Sequence, residues 1–406
     1  MAGHRPGGDL RVAVIGAGIA GCCLTVGLSR NSFLDVHLYE AYPNVGVRGT
    51  GLALHGNAIK AIDLLTGDQK SEDMEMASKI IVGSRPHTGT LIAELGRAKG
   101  RRTVHRAHFI QGLLEDVIPE DCVHFGKCMV GIEQGGAADA NIPSVSVTFA
   151  DGKVEKFDVL FGSEEVKSLT RKFILGIDHP ATDAVNHDGW RCFNSPVPMA
   201  EAKKVVPRES IEKVRMFCTP LGYTNGLPLL PVTMPTIGGR CCSARNSKPS
   251  YLAPGIYGND SFLLERDPKE DWKIQDHDHA PIYYYGRVAM IGDAAHATGP
   301  HAGNGAAQAI EDAAILTRVF AQVKAGNHIN AALKAFDEIR RPRSQRNEEE
   351  RNIEDVKRQM EEGGMYTNGV DVDAQVQAAV LVFETAMLEV SSSYCAGLQH
   401  QQKLTS

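Results

Sequence analysis

Between Arg11 and Glu40 the chain reads as a strand, a glycine turn, a helix, a second strand and an acid, an order that few folds accommodate. Arg11 to Ile15 is a short apolar run that predicts a buried strand. Gly16-Ala17-Gly18-Ile19-Ala20-Gly21 follows as G-x-G-x-x-G, ahead of a helical run from Cys22 to Ser29. Each glycine has a mechanical reason: Gly16 makes the tight turn, Gly18 lets backbone approach a pyrophosphate, and Gly21 lets the helix pack on the sheet. Val36 to Tyr39 predicts the second strand, closed by Glu40, whose carboxylate is placed to accept from ribose hydroxyls and to repel a 2′-phosphate. The set predicts an adenine dinucleotide site and leaves open which dinucleotide.

A second strand-to-turn junction lies far downstream, in Arg287 to Asp312. Val288 to Ile291 runs straight into Gly292-Asp293, and a small-residue loop leads through Pro300, Gly303 and Gly305 into a helical run from Ala306. An acid at a strand end, followed by loop amides and a helix N-terminus, suits a polyhydroxyl chain attached to a phosphate: the carboxylate accepts hydroxyl protons while the amides and the helix dipole hold negative charge. If both junctions serve one ligand, the two ends of this stretch of sequence meet in one domain.

Composition narrows the partners. With 43 basic and 49 acidic residues the formal net charge is −6, which gives no electrostatic reason to expect nucleic acid. The apolar stretch Val12 to Leu28 is broken by glycines at motif spacing, so it reads as a strand running into a glycine turn rather than as a signal peptide, and no other segment is long enough to span a bilayer. Nine cysteines, odd in number and without metal spacing, read as reduced thiols of a cytoplasmic protein.

Between the two junctions, Pro43 to His55 is punctuated by Gly46, Gly49 and Gly51 and carries Arg48. Thr103 to Arg106 leads into a helix over Ala107 to Val117, and Arg106 at its start is a candidate contact for a phosphate or a ring. Asp151-Gly152 is a hairpin signal between Ser144–Ala150 and Val154–Phe157. Asp158 to Phe161 then enters Gly162-Ser163-Glu164-Glu165. Gly189 to Pro249 predicts an antiparallel sheet, and Asp276 to His279 reads as a solvated acidic, His-bearing loop rather than a metal site. Beyond Asp312, Ile329 to Ile339 predicts a helix. Arg340 to Glu362, dense in both charge signs, reads as a solvated helix with a break at Pro342, and a further helix is expected around Ala374 to Val390.

Taken together, VIGAGIAG with Glu40, RGTGLALHGNA at 48–58, VHRAHFIQGLL at 104–114, GRVAMIGDAAHATGPHAGNGAAQAIEDA at 286–313 and FDEIRRPRSQ at 336–345 resemble the FAD-dependent aromatic-ring monooxygenases related to salicylate hydroxylase and para-hydroxybenzoate hydroxylase. The resemblance implies an α/β fold: a Rossmann-like FAD-binding domain built from 10–180 and 281–345, an inserted antiparallel-sheet substrate domain over 181–280, and C-terminal helices and tail over 346–406. It implies that Asp293 lies near the ribityl chain of FAD, Gly303, Gly305 and Ala306 near the isoalloxazine and pyrophosphate, and Gly49 to Leu52 along the flavin, with Arg106 in contact with the cofactor. His296 and His301 are expected to shape the loop beside the flavin. Trp190-Arg191 matches an aromatic–arginine pair on a substrate-domain strand, which makes Arg191 a candidate to orient a phenolate or carboxylate, and Tyr223 is a candidate pocket hydroxyl. The implied reaction uses NAD(P)H to reduce FAD, O₂ to form a flavin hydroperoxide, and that hydroperoxide to place one oxygen on an aromatic or other electron-rich small molecule.

Two departures stand against the family pattern. Where the family has a sequence like GADG, this chain has Gly162-Ser163-Glu164-Glu165, which lengthens one carboxylate and replaces a glycine by a bulky acid. The segment from Arg191 to Tyr285 is also shorter than expected for the substrate domain. These departures keep two other readings open: a flavoprotein without turnover that serves as an accessory or binding subunit, and a flavin oxidase or dehydrogenase without oxygen insertion.

Overall fold

A computed structural model describes residues 9–44, 51–54, 56–67, 80–83, 91–95, 102–135, 144–185, 189–198, 200, 203–204, 215–219, 222–229, 236–243, 270–299, 303–348 and 372–404. Its central sheet has six strands in the order β17-β18-β11-β1-β2-β7, formed by β1 (Leu10–Ile15), β2 (Leu34–Glu40), β7 (Val123–Phe125), β11 (Val159–Gly162), β17 (Tyr284–Tyr285) and β18 (Val288–Met290). β1 pairs in parallel with β2 on one side and β11 on the other, and β11 pairs in parallel with β18. Thus the N-terminal glycine-turn strand and the downstream Gly-Asp strand share one sheet. Parallel strands covered on both faces need apolar side chains throughout, and Val12, Ala13, Val14, Val159, Leu160, Phe161, Val288, Ala289 and Met290 are all fully buried.

The α-helices among the described residues are α1 (Ile19–Leu28), α2 (Gly56–Thr66), α3 (Arg106–Asp116), α4 (Leu169–Leu175), α5 (Asp293–His296), α6 (Gly305–Phe320), α7 (Ile329–Glu348) and α8 (Val372–Leu404). α1 and α6 lie against each other: a Cβ added at Gly27 would stand 1.9 Å from Thr317 Oγ1, so the missing side chain is what admits the second helix. No helix among the described residues is long and apolar enough to cross a membrane.

α7 corrects the sequence expectation. It runs unbroken from Ile329 through Pro342 to Glu348, and it is not simply a solvated helix, since Arg340, Arg343 and Ser344 are buried. Contacts on both sides of the proline hold the helix together. Arg340 donates to Asp312 at 2.8 Å and Glu311 at 2.6 Å, while Ser344 meets Tyr283 Oη at 2.8 Å and Gln345 donates to Ala280 O at 2.7 Å. Tertiary bonds of this kind offset the one helical bond that proline removes. α8 is likewise longer at both ends than the predicted 374–390.

A second sheet of seven strands has the order β16-β12-β15-β14-β13-β4-β5. Its members are β4 (Ile80–Gly83), β5 (Leu91–Leu95), β12 (Arg191–Pro198), β13 (Arg215–Thr219), β14 (Gly222–Leu229), β15 (Thr236–Ser243) and β16 (Glu270–Lys273). All its pairings are antiparallel except β13 with β4. The sheet expected from 189–249 is therefore present, with two strands from well upstream added at one edge. A three-stranded meander of β8 (Met129–Gln134), β9 (Val145–Phe149) and β10 (Val154–Phe157) contains the hairpin predicted at Asp151-Gly152, with Gly152 at φ +82°. The short pair β3 (Gly51–Leu54) and β6 (Arg102–His105) sets Gly51 opposite His105, next to Arg106.

Candidate functional site

The carboxyl ends of β1, β2, β11 and β18 gather most of the residues singled out from the sequence. This is the crevice side of a parallel sheet, at the point where β1 has neighbours reached in opposite directions. Gly16 has φ +104°, and its amide donates to Tyr39 O at 2.7 Å. A Cβ at Gly16 would stand 2.7 Å from Ser163 O, and one at Gly21 would stand 1.9 Å from Gly16 O and 2.6 Å from Ser163 Oγ. Both glycines are demanded by packing. Gly18 is different, because the nearest atom to an added Cβ is Arg106 Nη2 at 3.8 Å. Its backbone is bare on that side, with a guanidinium beside it.

Glu40 ends β2 with its carboxylate turned back onto the glycine turn. One oxygen accepts from Ala17 N–H at 2.7 Å and the other from Tyr42 N–H at 3.0 Å. Each oxygen keeps a second lone pair for a hydroxyl.

At the end of β18, Gly292 sits at φ +57°, where an added Cβ would meet Ala20 Cβ at 2.8 Å, so this turn packs against α1. The short α5 that follows is held on several sides. Asp312 accepts from the Gly292 amide at 2.9 Å and from His296 Nε2 at 2.6 Å; Arg171 donates to Ala294 O at 2.9 Å; His277 Nε2 accepts from Ala297 N–H at 3.1 Å. Asp293 is the exposed residue of α5, flanked by buried Gly292, Ala294, Ala295 and His296. Its pKa is raised, chiefly because protein crowds around it, with the positive charges of His296, Arg106 and Arg171 acting the other way. An exposed carboxylate enclosed by so much protein stands on the floor of a cleft. The N-terminal residue of α6, Gly305, faces it: an added Cβ there would meet only Asp293 Oδ1, at 3.9 Å. Gly303, at φ +63°, has nothing within 4 Å of such a Cβ.

The Glu164-Glu165 departure is absorbed locally. Glu164 accepts from Thr170 N–H at 3.1 Å, Thr170 Oγ1 at 2.9 Å and Ser168 Oγ at 3.1 Å, which makes it an added cap on α4 beyond the N-cap Ser168. Burial raises its pKa and these bonds oppose that rise. Glu165 is exposed. Ser163 takes up the remaining space, donating to Ile15 O at 2.7 Å with Gly16 O at 2.9 Å.

His277 was expected in a solvated loop and is instead fully buried. Among the described residues no group of three His, Cys, Asp or Glu side chains is placed to hold a metal. Because Nε2 accepts from Ala297, the proton of the neutral ring lies on Nδ1 and donates to Asp278 O at 2.8 Å. Burial, then the charge of Arg171, pushes the His277 pKa down to about 4. The unfolded chain therefore binds the extra proton first, and stability is lost as pH falls from about 6.5 toward 4, by on the order of 3 kcal/mol. Urea unfolding at pH 7 and pH 4.5 will show this loss, and His277→Gln, which keeps an acceptor for Ala297, will flatten it.

The remaining candidates are placed as follows. Arg191 begins β12, half-buried, in register with Ser243 and Lys273. Tyr223 lies on β14 in register with Cys242, which pairs in turn with Cys192; Tyr223 and Arg191 thus occupy adjacent cross-strand rows, not the same one. Ala306 is half-buried in the first turn of α6. Gly49 and His301 lie outside the described residues. Sequence reasoning missed Ser163, Arg171, His277, Asp312 and Arg340, the residues that hold the two turns from behind.

The assembled groups are hydroxyl acceptors at Glu40 and Asp293, a guanidinium at Arg106, bare backbone at Gly18 and Gly305, and the N-terminus of a sixteen-residue helix. That donor set fits a dinucleotide carrying a polyol chain and two phosphates. Comparison with known proteins agrees. A family model described as an FAD binding domain matches residues 248–351. The chain is 32% identical over 366 residues to 6-methylsalicylate 1-monooxygenase atA of Aspergillus terreus, covering 82% of this chain and 80% of that protein. It is 31% identical to a salicylate hydroxylase of Pseudomonas putida, covering 82% and 83%. A solved salicylate hydroxylase substrate complex shares the fold, with TM-score 0.71 and 24% identity over 91% of this chain and 98% of that one. The chain belongs to the FAD-dependent monooxygenase family that includes the salicylate hydroxylases.

Proposed function

We propose that this protein hydroxylates an aromatic hydroxy acid of the salicylate class, with FAD held at the carboxyl ends of β1, β2, β11 and β18 and NAD(P)H as reductant. The observation that supports the reading is the convergence of Asp293, Arg106 and the bare backbone of Gly18 and Gly305 at the carboxyl end of the sheet. The salicylate-type substrates named for the relatives supply the substrate class. FAD supplies electron acceptance from the nicotinamide and the oxygen chemistry.

The chain's own residues do the rest. Gly16, Gly18 and Gly21 form the turn beneath the pyrophosphate, and Glu40 accepts from the adenosine ribose. Asp293 accepts from the ribityl hydroxyls, and the amide end of α6, at Gly305 and Ala306, faces the phosphates with Arg106 as their cation. Arg191 orients the substrate carboxylate, a role suited to a planar guanidinium, which meets a carboxylate through two parallel hydrogen bonds. Tyr223 is the weaker partner of that pair because it lies in the next row of the sheet.

The test is to purify the protein, look for FAD, reduce it anaerobically with NADH or NADPH, and readmit O₂ with salicylate-class acids. A hydroxylated product supports the reading. Flavin that is reduced but never gives an oxygenated product would favour an oxidase or dehydrogenase, and protein that neither contains nor takes up FAD would overturn both enzyme readings. Arg191→Ala should lower kcat/KM for the aromatic acid by about 100-fold, the order expected for losing a charged contact, with FAD content unchanged; equal losses of both would remove Arg191 from the substrate site.

A further inference from the structure

The turn that carries Asp293 is fixed by one carboxylate that never reaches the cleft. Asp312, on α6 and fully buried, uses a single oxygen, Oδ2, to accept from both ends of the turn: the Gly292 amide at 2.9 Å and His296 Nε2 at 2.6 Å. Its other oxygen accepts from Arg340 Nε at 2.8 Å. Arg340 is itself held by Glu311 at 2.6 Å, Gln308 Oε1 at 2.6 Å and Gln375 of α8 at 2.9 Å, while Glu311 also accepts from Asn57 of α2 at 2.5 Å. A carboxylate clamped between an amide, an imidazole and a guanidinium accepts only, so His296 presents its Nε2 proton to it.

We propose that Asp312 is a positioning residue for the cofactor: by gripping Gly292 and His296 at once, it sets where the Asp293 carboxylate stands before any ligand arrives. This rests on the reading of Asp293 as the ribityl anchor. Binding sites gain affinity when the contacting group is already in place, and a carboxylate on a short turn held at both ends, at Gly292 and at His296, has little freedom to stray. The same clamp makes no bond to the adenosine end: Gly16 is bonded to Tyr39 of β2 and to Ser163 beyond β11, Gly18 to Cys22 of α1, and Glu40 to Ala17 and Tyr42.

The experiment uses apoprotein, with FAD and ADP as separate probes, followed by flavin fluorescence and by calorimetry, and far-UV circular dichroism as the check on folding. His296→Leu removes one arm of the clamp while leaving the Asp312–Arg340 pair; His296→Gln restores a side-chain donor; Asp312→Asn weakens both arms. We expect His296→Leu to weaken FAD binding by about tenfold, the loss of roughly one good hydrogen bond, with ADP affinity unchanged and the visible spectrum of bound FAD altered. His296→Gln should return FAD affinity to within about threefold of the parent, and Asp312→Asn should lose more than His296→Leu. Equal weakening of FAD and ADP, or wild-type FAD affinity in His296→Leu, would overturn the proposal. Failure of the parent protein to bind FAD would instead remove the cofactor site itself.

Discussion

Arg340→Ala is expected to destabilise the protein by about 3–5 kcal/mol, because it takes from two buried carboxylates the guanidinium they share, leaving Asp312 with His296 and Glu311 with Arg343 at 3.6 Å. Asp312, Glu311 and Arg340 are all fully buried, and the guanidinium bonds to both acids. Burial alone would raise the Asp312 pKa; His296 and Arg340 reverse that and hold it down to about 2. Without Arg340 the folded-state pKa of Asp312 rises, so the variant loses less stability than the parent as pH falls. Urea unfolding should therefore show a wider gap between parent and variant at pH 8 than at pH 5. A gap below about 1 kcal/mol at pH 8, typical of an exposed ion pair, would mean that water reaches the pair.

Gly21→Ala is the second large effect. Its methyl group would stand 1.9 Å from Gly16 O and 2.6 Å from Ser163 Oγ. The first is backbone and has nowhere to move, because Gly16 is itself bonded to Tyr39 and packed on Ser163. α1 must lift from the sheet, at a cost of about 3 kcal/mol, the upper part of the range for overpacking. FAD retention should be lost with it, measured by flavin content after gel filtration. Gly112→Ala on α3 is the control: nothing lies within 4 Å of the added Cβ, and the change should stabilise by about 0.5–1 kcal/mol through helix propensity.

The contrast between these glycines and Arg340 shows which parts of the site can be read from sequence. The turn at Gly16–Gly21, the acid at Glu40 and the junction at Gly292-Asp293 depend on local spacing, which the amino-acid sequence carries directly. Arg340 was read as solvated because it sits in a run of mixed charge, yet its partners lie in another helix. A signal existed: Glu311-Asp312 stands inside AAQAIEDAAIL, an apolar helical stretch, and adjacent acids in such surroundings call for a buried cation. Nothing comparable marks His277, whose burial comes from packing under α5, or the addition of Ile80–Gly83 and Leu91–Leu95 to a sheet built mainly from residues beyond 190. Pro342 misled in a simpler way, because a helix bonded on both sides of a proline tolerates it.

The place of β11 between β1 and β18 has a consequence for synthesis. Val159 to Gly162, all buried in the finished sheet, leave the ribosome with only one of their two neighbours made, and the other strand, Val288–Met290, follows after the whole of β12 to β16. In the interval the chain carries an apolar strand with one open hydrogen-bonding edge, the kind of surface that recruits other chains. Closing that edge and delivering Asp293 are a single event, since the strand that seals the sheet ends in the acid. Docking of β18 therefore ends the nascent chain's exposure to aggregation and completes its cofactor cleft in the same step.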